Sequence, residues 1–163
     1  NGADGSWSTR WERTILDLIR EVPERLYPVG RLDLDSEGLI LLTNDGELAN
    51  RLMHPRYEHE KEYNVIVQSP ISNIHLKSLS GGIEIEGKRT LPARIIRIGS
   101  RQFSIILREG RKRQIRKMVE ALGNEVISLT RVRIGNIQLG SLPTGKYSYL
   151  SPTEVRNLKS SVL

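Results

Sequence analysis

Two apolar-rich runs, ARIIRIG (Ala93–Gly99) and QFSIILRE (Gln102–Glu109), are separated only by Ser100 and Arg101. A connection that short joins antiparallel neighbours, because a parallel crossover needs a dozen or more residues. The middle of the chain is therefore committed to a hairpin, with its turn in the Gly99-Ser100 region, and so to a sheet. A further run, KEYNVIVQ, alternates and sets Lys61, Tyr63, Val65 and Val67 on one strand face. Leu26–Val29, Leu39–Thr43, Val126–Ile134 and Ile137–Leu139 read as more strands, with a turn at Asn44-Asp45-Gly46.

Helical spacing occurs between these runs. Ile15, Leu18, Ile19 and Val22 form an i, i+3, i+4, i+7 stripe stopped by Pro23, and Ile115, Met118, Val119 and Leu122 form a second, closed by Gly123. Glu47–Met53 predicts a short helix ending before Pro55, and residues 71–80 another, closed by Gly81-Gly82. Ser151, Pro152 and Glu154 form a capping box with proline at the first helical position. The opening NGADGSWSTR reads as a loop with a frayed start. Strands outnumber helices and the hairpin spacing implies mostly antiparallel pairing, so the fold class is α+β.

The 163 residues suit one domain, or two small subdomains sharing a sheet. No window reaches the roughly 18 apolar residues of a membrane span. There are no cysteines, which excludes disulfides, thiolate catalysis and Cys-ligated zinc. The chain opens on Asn1 rather than Met, as a fragment or processed form would. Its charge is unevenly distributed: residues 1–88 carry 10 Lys/Arg against 15 Asp/Glu, whereas residues 89–133 carry 12 against 3. A localised basic segment is the footprint of a phosphate-backbone binder, or else a solvated basic face.

VGRLDLDSEGLILLTNDGE (Val29–Glu47) sets Asp33, Asp35 and Glu37 at the mouth of an apolar run. The spacing mimics a calcium loop, but the twelfth position is Asn44 rather than a bidentate Glu, and both flanks read as strands. His54, His59 and His75 lack ligand spacing. Asp35-Ser36-Glu37-Gly38 has turn composition, which turns Asp35 and Glu37 to solvent. Asp33, just after a strand and beside an apolar region, needs a cationic partner or a proton.

Three segments together carry a family resemblance: GRLDLDSEGLILLTNDGELANRLMHP from Gly30, EKEYNV (Glu60–Val65) and EGRKRQIRKMVEALG (Glu109–Gly123). They resemble, in order, the motifs of the RsuA/RluB-type pseudouridine synthases, which act on ribosomal RNA, and RVRIGNIQLGSLPTGKYSYLSPTEV resembles that family's closing segment. DGELANRLMHP points to the large-subunit RluB branch.

The resemblance implies a single catalytic domain over residues 1–163, truncated at its N-terminus. The family's S4 RNA-binding domain and its Asn-Lys-Pro strand are not matched, and a missing strand would leave a sheet edge unpaired. The implied fold is a mixed, mostly antiparallel central sheet flanked by helices, in two subdomains with a cleft between them. The implied reaction breaks the N-glycosidic bond of a uridine and rejoins the base through C5.

Asp33 matches the family's nucleophile, attacking either the ribose or the ring. Tyr63 matches the tyrosine that stacks on the target base and takes the C5 proton. Arg116 matches the basic residue that pairs with the aspartate, which would lower its pKa and orient it. Ile115 either packs beneath the flipped base or is plain core. Arg31 is expected to contact RNA and fill the space left by base flipping. Arg111, Lys112, Arg113, Lys117, Arg131 and Arg133 would contact phosphates. Relatives often carry His where this chain has Arg113. The resemblance implies no cofactor and no metal, ribosomal RNA as partner, no membrane, a monomer, and a cytoplasmic, prokaryotic-type setting with an organellar origin left open. A silent RNA-binding module on the same fold is the competing class, and a tRNA-directed synthase the competing target. Pure binding needs none of Asp33, Tyr63 and Arg116.

Overall fold

The computed structural model describes residues 18–163. Its backbone is organised around the predicted hairpin. Arg94–Gly99 (β7) pairs antiparallel with Gln102–Leu107 (β8), and β8 pairs with Lys61–Val67 (β4). Val126–Ile134 (β9) lies on the other side of β4, followed by Ile137–Gln138 (β10). The order is therefore β10-β9-β4-β8-β7, with Glu37–Gly38 (β2) added parallel to β9. Every other pairing in this sheet is antiparallel, as the hairpin spacing requires.

Four of the expected helices lie within the described residues. They are Gly46–Met53 (α1), Asn73–Gly81 (α2), Gln114–Ala121 (α3) and Pro152–Ser160 (α4). The capping box of α4 is complete, with Ser151 Oγ accepting from Glu154 N and Glu154 Oε1 accepting from Ser151 N. The N-terminal helix predicted around Ile15 falls largely outside the described residues, as does the opening loop. Within them, Ile19 is buried and Val22 N donates to the Ile19 carbonyl at 2.9 Å, just before Pro23.

Local chemistry explains the differences from expectation. Asp45 caps α1 instead of sitting mid-turn: its Oδ1 accepts from Leu48 N at 3.0 Å, so Gly46 opens the helix. The predicted 39–43 strand shortens to Leu41–Thr43, paired with Tyr27–Val29 (β1). Leu39 N instead donates to the Arg131 carbonyl. The basic run from Gly110 becomes helical only at Gln114, because Arg113 is left-handed (φ 52°). A small hairpin, Glu84–Ile85 (β5) with Lys88–Arg89 (β6), was not expected. Its Glu86-Gly87 turn has both residues at positive φ, as a primed two-residue turn demands.

Two apolar clusters result. The larger joins Val65, Val67, Phe103 and Ile105 of the sheet to Leu76 and Leu79 of α2 and Met118 and Val119 of α3. The smaller joins Val29, Leu39, Leu41, Ala49, Ile134 and Ile137, with Leu158 of α4 against it. Strand β9 feeds both, through Leu129 at one end and Ile134 at the other. The loop from Gly30 to Leu39 leaves the smaller cluster at Val29 and returns to it at Leu39. No helix among the described residues is long and apolar enough to cross a membrane.

Candidate active site

The loop carrying Asp33 is held at its two ends and its middle by arginines from elsewhere in the chain. Arg131 of β9 grips the ends: Nε donates to the Leu39 carbonyl at 2.8 Å and Nη1 to the Arg31 carbonyl at 3.2 Å. The loop can lie this close because residue 38 is glycine. A Cβ there would stand 2.2 Å from the Arg131 carbonyl oxygen, and φ is +115°.

Helix α3 supplies the second hold. Arg116 Nη2 donates to the Asp35 carbonyl at 2.7 Å and to Ser36 Oγ at 3.3 Å, while its Nε lies 3.5 Å from Asp35 Oδ1. Arg113 binds the Asp35 carboxylate in a fork, with both bonds at 3.0 Å. That hydrogen bond is the main reason the Asp35 pKa falls below its ordinary value, ahead of the opposing effect of burial and the charge of Arg116. The same bond raises Arg113, and the fields of Asp35 and Asp33 add to it.

The expected Arg116–Asp33 pair is therefore corrected. Arg113, just before the first turn of α3, and Arg116 within it both converge on the Asp35 segment, and the loop turns the Asp35 carboxylate rather than that of Asp33 toward the helix. Asp35 is half-exposed but is no idle turn residue. Asp33 is half-buried and fixed through its backbone, its carbonyl accepting from Ser36 N at 2.9 Å. Its carboxylate accepts no hydrogen bond from the described residues. Leu34 beside it is 82% exposed.

Tyr63 lies directly across from Arg131 in the β4–β9 register, half-buried against the larger cluster. Cross-strand partners share a face, so the residue that clamps the Asp33 loop also adjoins the tyrosine. A β-bulge at this point skips Val132, because Glu62 faces Arg133 and Tyr63 faces Arg131. The bulge turns Arg131 and Arg133 to opposite faces. Arg131, 4% exposed, is bound to loop carbonyls rather than open to phosphates. Arg133 donates to Glu62 Oε1 at 2.9 Å, Glu60 Oε1 at 3.2 Å and the Gly135 carbonyl. Both expectations of a phosphate contact give way to these internal bonds.

The other predicted residues sort by what their charges meet. Arg111 donates to the Ile85 and Lys88 carbonyls of the β5–β6 hairpin, and Lys117 pairs with Glu86 in its turn. Lys112 and the Arg31 side chain are exposed and bind no described group. Ile115 is 4% exposed within the larger cluster, a core position.

Gln114 was not singled out by sequence. Its amide accepts from Arg111 N at 3.1 Å and donates to Glu109 Oε2 at 2.9 Å, which shapes the loop before α3. Its signal was available: it precedes Met118 by four positions, a polar group on a buried stripe. Among the described residues no group of three or more His, Cys, Asp or Glu side chains could hold a metal ion.

Residues 4–121 match the RNA pseudouridylate synthase family model. The chain is 43% identical to ribosomal large subunit pseudouridine synthase B of Bacillus subtilis, over 91% of this chain and 63% of that protein. It is 40% identical to the dual-specificity RNA pseudouridine synthase RluF of Escherichia coli, over 88% of this chain and 49% of that one. It thus spans about half to two thirds of the length of these relatives. A solved pseudouridylate synthase superposes with a TM-score of 0.78 at 35% identity, covering 82% of this chain and 59% of the other. A clamped loop bearing an open aspartate, set beside a cross-strand tyrosine, is thus carried on that family's fold, and the chain belongs to the RNA pseudouridylate synthase family.

Proposed function

We propose that this domain isomerises a uridine of ribosomal RNA, in the large subunit, to pseudouridine, with Asp33 as nucleophile. The observation that carries it is a carboxylate with no described donor on a loop that three arginines pin in place. An acid kept ionised only for stability would be expected to sit in an ion pair. This one is positioned through its neighbours and left open to attack a substrate. The name of the Bacillus subtilis relative supports the large-subunit target.

In this mechanism Asp33 bonds to C1′ or to the ring, the N1–C1′ bond breaks, the uracil turns, C5 bonds to C1′, and the bond to Asp33 breaks to return the free carboxylate. The C5 proton leaves to Tyr63 or to water through it, and N1 takes up a proton, so the isomerisation is neutral overall. A uridine stacked in a helix must leave it for Asp33 to reach C1′ or the ring, hence base flipping. The side chain of Arg31, exposed and unpaired among the described residues, would fill the vacated stack. The partner is ribosomal RNA, the working unit a monomer, and the chemistry needs side chains only.

Tritium release from 5-[³H]uridine-labelled ribosomal RNA tests this. The wild-type chain should release tritium, and Asp33→Ala should abolish release while leaving RNA binding nearly intact. Release that persists in Asp33→Ala would remove the nucleophile assignment. RNA binding without release from either chain would favour a silent binding module.

A further inference from the structure

Lys61 is the charged residue on the Tyr63 face of β4, and no described carboxylate pairs with it. It alternates with Glu60 and Glu62, and both of these turn to the opposite side, where Arg108 and Arg133 take them. Another acid of the motifs, Glu109, is also engaged: its Oε2 accepts from Leu91 N at 2.7 Å and from Gln114 Nε2 at 2.9 Å. Lys61 itself is half-buried and binds no carboxylate among the described residues. Its Nζ lies 3.7 Å from where a Cβ on Gly110 would stand, so the ammonium group sits at the head of the basic loop that leads into α3.

The neighbourhood of this cation is basic. Burial first, and then the charge of Arg131, hold the Lys61 pKa below its ordinary value. Burial and Lys61 do the same to His59, two residues earlier. Arg131 Nη2 is buried without a hydrogen-bond partner, and so is His59 Nε2. Lys61, Arg131 and the His59 imidazole therefore lie close to one another, and none of the three is paired with a carboxylate among the described residues. Half-buried positive charge of this kind attracts an incoming anion more strongly than fully solvated charge does.

We propose that Lys61 is the ligand for a backbone phosphate of the RNA strand that delivers the target nucleotide, with Arg131 behind it adding field rather than contact. Lys61 would then bind substrate without taking part in bond breaking. This assignment rests on the proposed function only for the identity of the strand, not for the phosphate binding itself.

The test compares wild type, Lys61→Met and Lys61→Arg. Affinity for a short oligouridylate is measured against salt concentration, and single-turnover tritium release at saturating ribosomal RNA is measured alongside. Methionine keeps the apolar stem and arginine keeps the charge. Lys61→Met should bind several-fold more weakly at low salt and lose about 0.7 from the slope of log K against log salt, one single-strand phosphate contact. Lys61→Arg should restore the slope.

An unchanged slope in Lys61→Met would overturn the proposal, whether or not its rate falls. A reduced slope that Lys61→Arg does not restore would overturn it too, since the loss would then follow from altered packing. If no chain releases tritium but the slopes behave as stated, the isomerase assignment fails and the phosphate site stands.

Discussion

At the residue scale, the arginine expected on Asp33, the proposed nucleophile, is found on its neighbours, and this changes what Asp35 is for. Its carboxylate is the point where α3 holds the loop, through the fork from Arg113. Removing the charge should misplace Asp33 without removing it. Asp35→Asn is therefore expected to lower kcat by about tenfold to a hundredfold, the scale of a displacement near 1 Å, with little change in KM. Steady-state tritium release reads both constants, and an unaltered kcat would show that the loop keeps its place without the fork. The pH dependence follows from the direction of the shift. A carboxylate with a lowered folded pKa contributes fully above its unfolded value, near about 3.9, and loses that contribution only as pH falls through the lower folded value. The Asp35–Arg113 hold should thus be constant across neutral pH and fail only in acid below the usual carboxylate range. A melting-temperature difference between wild type and Asp35→Asn that already narrows near pH 6 would contradict this.

At the element scale, the loop from Gly30 to Leu39 depends on how closely it lies against β9. Gly38→Ala would bring a methyl group to 2.2 Å from a backbone oxygen that is fixed within a central strand, at a φ few L-residues adopt. It should cost about 2 kcal/mol or more, a fall of roughly 4–8 °C in Tm for a chain this size, and lower turnover by displacing the loop. A calorimetric melt unchanged from wild type would mean that β2 does not pair as described. The elements themselves were largely legible, because alternation in KEYNVIVQ and the four-residue stripes of α3 are local signals. What escaped was non-local. The β-bulge that parts Arg131 from Arg133 depends on the register with β4, and nothing in the string RVR shows that one arginine faces inward. The placement of Arg116 escaped for the same reason. Helical spacing correctly put it at the edge of the buried face, but which loop residue it would meet was settled by the turn at Asp33–Ser36, 80 positions away along the chain.

At the scale of the whole molecule, the excess positive charge of residues 89–133 is the feature most easily misjudged, since the count of basic residues overstates the charge open to RNA. Arg131 and Arg133 spend their guanidiniums on loop carbonyls and on Glu60 and Glu62. Arg111 spends its own on the β5–β6 hairpin. Lys112 and Arg31, both exposed, bind nothing described. An arginine already neutralised by the fold releases few counterions when a phosphate approaches, whereas an open one releases close to a full share. The salt dependence of RNA binding should therefore separate residues that composition treats alike. Lys112→Met and Arg31→Met should each lower the slope of log K against log salt by about 0.7, and Arg133→Met should leave it unchanged. Arg133→Met should instead lower stability, because it leaves Glu62 half-buried without its cation and Glu60 with Arg108 alone. Equal losses of slope from Arg133 and Lys112 would mean that Arg133 leaves its glutamates for the RNA. The basic segment would then act as one undifferentiated patch, and the pairing network across β4 and β9 would be a feature of the free protein alone.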